Sequence, residues 1–589
     1  MTGTHTAPAA LPAFDRKFWD GVFGFTQIGA GELGGKAAGL IAIKELLERP
    51  TVANGYPPFV VDVPVMAVVA TDCYDEFLAQ NGLALEGFAG RDDEHIARAF
   101  QQATLPAELL GDLWALMQQV RTPLAVRSSS RLEDAMDRPF AGVYATKMIP
   151  NNELDPEHRF HQLVGAIKLV YASAFFQEAQ DYIRAAGREP RDEKMAVILQ
   201  EVVGQRHGPR FYPVISGVAR SYNFYPSAPA KAEDGFASLA LGLGKQIVDG
   251  GVAWTFSPAY PLRPPPFHSV AEMARSTQKE FWAVNMGKPP AYDPVNEAEC
   301  LSRCGLDAAA EDETLELVAS SYDHESELLL PGVRPGCEPV LDFAAVLEAG
   351  RMPISPLLAE LLRASEEATG EKVEIEFAVT VAEEHGRPRR ARFGFLQVRP
   401  MAVPEQTIAV SEEEFGAARA VVASNAVIGN GVAHDIQDVV YVRRDRFRTD
   451  YTAVIAREIE YCNRALMEQR RPYALLGFGR WGSSQSSLGI PVAWSQIAGA
   501  RVIVETTLPG FEVDLSQASH FFHNLASFRA MYFMVRHDER PGIAWEWLER
   551  QPVVDEGQFV RHVRPAEPLL VRVDGRSARG VMLAREAVR

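Results

Sequence analysis

A short apolar run in the first third of the chain ends in an arginine followed by three serines. Residues 124–130 read Leu-Ala-Val-Arg-Ser-Ser-Ser, and a glycine-containing stretch follows them. The apolar start predicts a buried strand that ends in polar groups. Arg127 offers a fixed guanidinium beside hydroxyl donors and exposed backbone N–H groups, which is a combination suited to holding an anion.

Two further segments carry groups of the same kind. Gly34-Gly35-Lys36 precedes a stretch with helical apolar spacing, so Lys36 is predicted at a helix N-terminus, where an anion is favoured. Glu374-Ile-Glu376 lies upstream of Gln397-Val-Arg399. Because residues i and i+2 of a strand share a face, Gln397 and Arg399 are expected to point into one cleft.

These residues together match the needs of phosphoryl transfer from a nucleoside triphosphate. Lys36 and Arg127 are candidate phosphate clamps, one a point charge and the other a bidentate donor. Glu376 and Gln397 would supply the oxygen ligands that Mg²⁺ prefers. Arg399 would face the transferring phosphate. Each residue alone has an ordinary structural explanation, and only their joint occurrence favours an ATP site.

The three motifs resemble the nucleotide-binding domain of the phosphoenolpyruvate synthase and pyruvate phosphate dikinase family. The resemblance runs from about Phe18 to Met401 and includes Val68–Tyr74 and Gly242–Gly250 in the expected order. It implies a two-lobed, ATP-grasp-type fold with ATP and Mg²⁺ as cofactors. By this resemblance the catalytic residues are Lys36, Arg127 and Arg399, and the metal ligands are Glu376 and Gln397.

The same resemblance implies further contacts with ATP. In the family an apolar strand, here Met195–Val203, reaches the linker that clasps adenine, and a glycine loop covers the phosphates. Arg220 stands where the family has an aromatic residue, and Lys245 where it usually has glutamate. Glu133 and Asp134 are expected to be solvated loop acids. The additional ATP-binding residues expected are Gly142, Thr146, Gln200, Glu201 and Val203.

The chain is long enough for several domains, and its pattern favours an α+β or α/β multidomain protein. An ATP-grasp-type domain would be followed by a smaller α/β C-terminal domain of unknown role. The predicted divisions are a flexible N-terminus (1–12), the nucleotide-binding domain (13–403, with lobes of approximately 13–215 and 216–403), a linker (404–411) and the C-terminal domain (412–589).

The C-terminal region has no recognisable counterpart of the family's phosphohistidine loop or pyruvate-binding barrel. About 180 residues follow the linker, which is fewer than the roughly 250 of such a barrel. The segment Gly477–Ser484 is predicted either to form a second anion pocket or to be a tight turn around a buried Trp481. A speculative second site would use His434, Arg480, His520 and His523, because histidine can act as nucleophile or base near neutral pH.

Composition excludes several other classes of function. The net charge of −18 disfavours binding to a nucleic-acid backbone, which depends on dense Lys and Arg. No stretch approaches the 18 or so apolar residues of a membrane span, and the first dozen residues do not have the pattern of a signal peptide. A cytoplasmic location and no membrane partner are therefore expected, and the sequence does not indicate an oligomeric state.

The function expected is ATP- and Mg²⁺-dependent phosphotransfer. The acceptor would be a small molecule or a histidine of the C-terminal domain, and release of AMP would follow from the resemblance. Two alternatives stay open at this stage: an ATP-grasp ligase that works through an acyl phosphate, and a nucleotide-sensing module without turnover.

Overall fold

The computed structural model gives a mixed α/β protein with several sheets, as the sequence predicted. Within the part of the chain that is described, no helix has both the length and the apolar character needed to cross a bilayer. The described residues are 11–16, 25–48, 56–88, 90–130, 133, 143–185, 189–223, 229–263, 269–348, 352–384, 387–401, 403, 408–483, 485–493, 496–511, 530–575 and 577–585.

The strands of the first region extend from residue 26 to residue 400. They are β1 (Thr26–Ile28), β2 (Phe59–Asp62), β3 (Met66–Val69), β4 (Leu124–Ser130), β5 (Thr146–Ile149), β6 (Met195–Glu201), β7 (Gln205–His207), β8 (Arg210–Tyr212), β9 (Ile215–Arg220), β10 (Phe236–Ala240), β11 (Trp254–Phe256), β12 (Glu280–Asn285), β13 (Leu301–Gly305), β14 (Ala319–Asp323), β15 (Leu328–Leu330), β16 (Glu338–Leu341), β17 (Val373–Glu384) and β18 (Arg387–Pro400).

Helices alternate with these strands. They are α1 (Gly35–Leu47), α2 (Thr71–Asn81), α3 (Asp93–Gln102), α4 (Ala107–Gln119), α5 (Pro156–Ser173), α6 (Gln177–Ala185), α7 (Lys245–Val248), α8 (Val270–Ser276), α9 (Leu306–Glu311), α10 (Ala344–Leu347) and α11 (Ile354–Thr369).

Two sheets position the candidate site. A five-stranded sheet has the order β1-β3-β6-β4-β5, and a six-stranded sheet has the order β11-β10-β9-β17-β18-β2. Strand β2 comes early in the chain but pairs in parallel with β18, so the chain crosses between the two sheets more than once. Two smaller sheets, β13-β12-β8-β7 and β15-β14-β16, complete the first region.

Different helices pack on the two sheets, and one helix contacts both of them. The long helix α5 contacts β4 and β5 of the five-stranded sheet, and eleven of its residues are buried, as expected of an apolar helix that covers a sheet. Helices α1 and α11 pack on each other and on β18 and β17 of the six-stranded sheet. Helix α1 also contacts β4, so a single helix touches both sheets.

The C-terminal region contains both strands and helices. Its elements are α12 (Glu412–Phe415), β19 (Ala420–Ser424), β20 (Val427–Ile428), β21 (Gly431–Ile436), β22 (Asp438–Val442), α13 (Thr452–Glu468), β23 (Tyr473–Phe478), β24 (Arg480–Trp481), β25 (Gly489–Ile490), β26 (Ala500–Thr506), β27 (Met531–Val535), α14 (Trp545–Glu549), β28 (Val553–Glu556), β29 (Val560–Val563), β30 (Leu569–Asp574) and β31 (Arg579–Leu583).

The main sheet of this region has seven strands in the order β20-β27-β26-β23-β22-β29-β28, and its strands β22, β23, β26 and β27 are parallel. A four-stranded sheet, β19-β31-β30-β21, and the pair β24-β25 complete the region.

Glu505 is a buried carboxyl group on β26 that makes stability depend on pH. Burial raises the pKa of Glu505 from 4.5 to about 7, against the opposing effects of the Tyr532 hydroxyl, Arg480 and the Trp481 backbone N–H. Between these two values the folded protein holds a proton that the unfolded chain has lost. The free energy of unfolding should therefore fall by up to about 3 kcal/mol as the pH rises through this window.

Replacement of Glu505 by Gln should flatten this dependence, because it removes the titrating group. Denaturation of the wild type and Glu505→Gln between pH 4.5 and 8 would measure the two slopes. Glu546→Gln, a substitution of an exposed carboxylate, is the matched control and should keep the wild-type slope. Equal slopes for the wild type and Glu505→Gln would contradict the prediction.

Candidate active site

The start of helix α1 is held against strand β4. Gly34, at the N-cap, has a φ of +76°, which favours glycine, and a Cβ there would lie 2.0 Å from the carbonyl oxygen of Ser129. The Ala37 N–H donates to Ser129 Oγ at 3.1 Å, and Ser129 Oγ donates to the Leu33 carbonyl at 2.8 Å. These contacts bring Lys36, in the first turn of the helix, to the polar end of β4.

Lys36 is almost completely buried and is paired with Glu133. Its Nζ lies 2.6 Å from Glu133 Oε1 and 3.2 Å from Ser128 Oγ. The same carboxylate accepts from Ser128 Oγ at 2.8 Å and from the Ser130 N–H at 3.0 Å, and Glu133 is only 1% exposed. The expectation that Glu133 is a solvated acid is therefore wrong, since a charge this deep requires a partner of opposite sign. Asp134 lies outside the described residues.

Arg127 reaches from the five-stranded sheet to the six-stranded sheet. Its Nη1 donates to the Leu396 carbonyl at 2.8 Å and to Gln200 Oε1 at 3.1 Å, and its Nη2 donates to Gln397 Oε1 at 2.7 Å. Nη2 also lies 3.6 Å from Glu376 Oε2. One guanidinium therefore brings together three of the predicted site residues from β6, β17 and β18.

A bulge in β18 makes this contact geometrically possible. Gln397 is opposite Glu376, but the next pair is Phe377 with Phe395, so Leu396 is an extra residue in the ladder. A bulge of this kind redirects the groups of the extra residue. Here the carbonyl of Leu396 accepts a hydrogen bond from the Arg127 side chain, which lies outside the ladder of β17 and β18.

Arg399 is held by an acid that the sequence analysis did not assign to the site. Arg399 Nε donates to Glu374 Oε1 at 2.8 Å, Arg399 Nη2 also donates to this oxygen, and Arg220 Nε donates to Glu374 Oε2 at 2.6 Å. The strand rule that paired Gln397 with Arg399 also places Glu374 on the face of Glu376. Arg220, which replaces an aromatic residue of the resembled family, is therefore a buried ion-pair partner.

Two amide groups beside Arg127 have donors without a partner. Gln200 and Gln397 are buried, and within the described ranges neither Nε2 atom has a hydrogen-bond partner. An unsatisfied buried donor has a free-energy cost of about 1–3 kcal/mol. Acceptor oxygens of a phosphate at this place would satisfy both donors, which is an arrangement expected of an anion site.

The residues also fit a weakly held metal ion. No group of three or more His, Cys, Asp or Glu side chains that could hold a metal is found among the described residues. The carboxylate of Glu376, with 14% of its side chain exposed, and the amide oxygen of Gln397 face the same guanidinium. Magnesium is commonly bound by one or two carboxylates together with substrate phosphates and waters, so two protein oxygens are sufficient.

Three of the remaining predicted ATP contacts, Thr146, Glu201 and Val203, belong to the described residues. Thr146 is opposite Arg127 in the β4–β5 ladder, and its N–H donates to Glu297 Oε1 at 3.3 Å. Glu201 ends β6 and accepts from Arg392 at 2.9 Å. Val203 lies in the connection from β6 of the five-stranded sheet to β7 of the sheet β13-β12-β8-β7. Gly142 lies outside the described residues.

Of the four residues predicted for a second, C-terminal site, the structure describes His434 and Arg480. His434 is exposed on the edge strand β21. Arg480 donates to the carbonyls of Gly250 at 3.2 Å and Gly251 at 3.5 Å, in the loop that follows α7 of the first region. His520 and His523 lie outside the described residues.

The glycine-rich segment before Ser484 packs around its tryptophan. Trp481 is 1% exposed and donates from Nε1 to the Val504 carbonyl at 3.2 Å. A Cβ at Gly477 would lie 2.4 Å from Trp481 Cζ2, so glycine is required for this contact. Of the two predicted alternatives, this geometry favours the tight turn.

Substitution of Gly34 by alanine should displace Lys36. The new Cβ would overlap the Ser129 carbonyl, and loss of one charge-assisted hydrogen bond of about 1.5–3 kcal/mol should weaken binding of a nonhydrolysable ATP analogue about tenfold or more. Isothermal titration calorimetry would measure this affinity.

The matched control is Gly82→Ala. Gly82 has a similar φ of +63°, but no atom lies within 4 Å of its Cβ position. This control places a Cβ at a positive φ, with a strain of about 1 kcal/mol, and avoids the clash. Gly34→Ala carries a larger strain, because the ψ of Gly34 is 172° and that of Gly82 is 30°. If both variants bound the analogue with wild-type affinity, the predicted role of the α1–β4 contact would be wrong.

Comparison with known proteins identifies the family of the first region. Residues 30–418, more than half of the chain, match the family described as pyruvate phosphate dikinase, AMP/ATP-binding domain. A rifampicin phosphotransferase of Streptomyces sviceus is 27% identical over 205 residues, which cover 32% of this chain and 21% of that protein. The chain thus aligns with about a fifth of the length of this curated relative. The chain belongs to the family of the pyruvate phosphate dikinase AMP/ATP-binding domain.

Proposed function

We propose that this protein is an ATP- and Mg²⁺-dependent phosphotransferase whose first region is a two-lobed, ATP-grasp-type domain. The observation that carries this proposal is the position of Arg127. Its guanidinium, from one sheet, bonds Gln397 and lies 3.6 Å from Glu376 on the other sheet. Cations, oxygen ligands and unsatisfied amide donors therefore meet at one place, as transfer of a phosphoryl group requires.

The charges of the site support a role in binding phosphates. Arg127 Nη2 and Arg399 Nη2 lie 3.6 and 3.8 Å from the two oxygens of Glu376. A phosphate beside Glu376 would therefore meet a guanidinium on each side. Lys36 would donate its third N–H to a phosphate oxygen and keep Glu133 and Ser128 as partners, since the acid holds the ammonium group at the start of α1. Mg²⁺ held by Glu376 and Gln397 would neutralise charge on the phosphate oxygens.

The acceptor proposed is a small molecule or a histidine of the C-terminal region. The relative from Streptomyces sviceus is a phosphotransferase named for rifampicin, which supports a small-molecule acceptor. His434 is exposed and therefore accessible. Arg480 bonds the C-terminal region to the loop at Gly250, which keeps the two parts of the chain in contact.

Nucleotide product analysis tests the proposal. The protein would be incubated with ATP and Mg²⁺, with and without pyruvate, phosphate and a metabolite pool, and ATP, ADP and AMP would be separated. We expect AMP to form. Glu376→Ala should reduce its rate about 100-fold, because it removes a metal ligand at the point of charge development.

Glu338→Ala is the matched control, because this strand carboxylate is paired with Lys279 in another sheet. It should keep the wild-type rate. Formation of ADP alone would favour a simple kinase or an acyl-phosphate ligase over dikinase chemistry. Binding of ATP without turnover under every condition would contradict the proposed enzymatic function and favour a nucleotide sensor.

A further inference from the structure

Three charged side chains form a straight row across the six-stranded sheet. Arg220 on β9, Glu374 on β17 and Arg399 on β18 are direct neighbours in the ladder register. They are 2%, 1% and 4% exposed. This row lies beside the row of Val218, Glu376 and Gln397, which contains the predicted metal ligands.

The carboxylate in the middle of this row is fully engaged by arginines. Glu374 Oε2 accepts from Arg220 Nε at 2.6 Å, and Glu374 Oε1 accepts from Arg399 Nε at 2.8 Å and from Arg399 Nη2. Contact through both Nε and Nη2 fixes the plane of the Arg399 guanidinium, because its donors have a rigid geometry. The same Nη2 then lies 3.8 Å from Glu376 Oε1.

The burial of this row disfavours coordination of a metal ion by Glu374. To coordinate a cation, a Glu374 oxygen would lose a charge-assisted hydrogen bond from an arginine in an almost completely buried position. Glu376 is different, because 14% of its side chain is exposed and its nearest arginine nitrogens are 3.6 and 3.8 Å away. The two acids of the same strand face therefore have different roles.

We propose that Glu374 is a positioning residue for Arg399 and not a metal ligand, and that Arg220 completes this role by holding the second oxygen of Glu374. Arg220 is thus a third arginine of the site, and it acts on the reaction through Glu374. This inference rests on the proposed phosphotransfer function, because Arg399 is the group that would face the transferring phosphate.

Metal binding tests the assignment of the two acids without any turnover. Mn²⁺, used in place of Mg²⁺, would be titrated into the full-length protein with a nonhydrolysable ATP analogue and followed by electron paramagnetic resonance. Glu376→Gln should weaken Mn²⁺ binding at least about tenfold, as expected for loss of a ligand. Glu374→Gln should weaken it less than Glu376→Gln does, because the Glu374 carboxylate bonds the arginines Arg220 and Arg399. An equal loss in the two variants would overturn the proposal.

Kinetics test the role of Arg220, with a variant that leaves the Glu374–Arg399 pair intact. Arg220→Met should lower kcat for ATP turnover about 30-fold through misplacement of Arg399, with KM for ATP changed less than threefold. Arg220→Lys, which keeps the charge, should recover most of kcat. A wild-type kcat in Arg220→Met would overturn the proposal.

A matched buried arginine separates positioning from stability. Arg159 is completely buried and donates to the carbonyls of Met117 and Val120 and to Asn151. Arg159→Met should lower the thermal midpoint and leave kcat of the folded protein unchanged. An equal loss of kcat in Arg159→Met and Arg220→Met would show that Arg220 is merely structural.

The ³¹P resonance of the bound analogue separates this inference from the proposed function. The γ-phosphate shift should differ from wild type in Arg220→Met and not in Arg159→Met, even if the wild type shows no turnover. A wild type without turnover would contradict the proposed function alone. An unchanged γ-phosphate shift in Arg220→Met would overturn the positioning role alone.

Discussion

The arrangement of the candidate site depends on the burial of a single guanidinium between two sheets. Arg127 is largely buried, and a cation removed from water is stable only when its donors are satisfied. Its partners are a carbonyl exposed by a bulge in β18 and the amide oxygens of Gln200 and Gln397. Because these partners belong to different sheets, the requirement to satisfy Arg127 also fixes the sheets relative to each other.

Each remaining cation of the site is paired with an acid. Lys36 is paired with Glu133, and Arg399 shares Glu374 with Arg220. These acids keep the cations fixed in the protein before any phosphate binds, which reduces the reorganisation needed at the moment of reaction. Glu376 stands between Arg127 and Arg399 without a contact to either below 3.6 Å. The Glu376 carboxylate is therefore less tightly paired than those of Glu133 and Glu374, and it is also more exposed.

The sequence predicted the elements of this site better than its internal contacts. The apolar run at 124–130 is a strand over that same range, and alternation correctly placed Gln397 and Arg399 on one face. Glu133 was misinterpreted because its burial comes from the packing of α1 against β4, which local sequence does not contain. The bulge at Leu396 also left no local pattern, since an extra residue in a ladder is defined by the partner strand.

Departures from the family pattern are accommodated by ion pairs, and one of these pairs joins neighbouring strands. A buried arginine in place of an aromatic residue conflicts with an apolar core, yet Arg220 is opposite Glu374 in the ladder and satisfies it. Lys245 similarly pairs with Asp249 at 2.9 Å, one helical turn later. The first of these pairs could not be found from spacing along the chain, because the two residues belong to strands far apart in sequence. The effect of a substitution in one strand can therefore be judged only when the residue opposite it on the neighbouring strand is known.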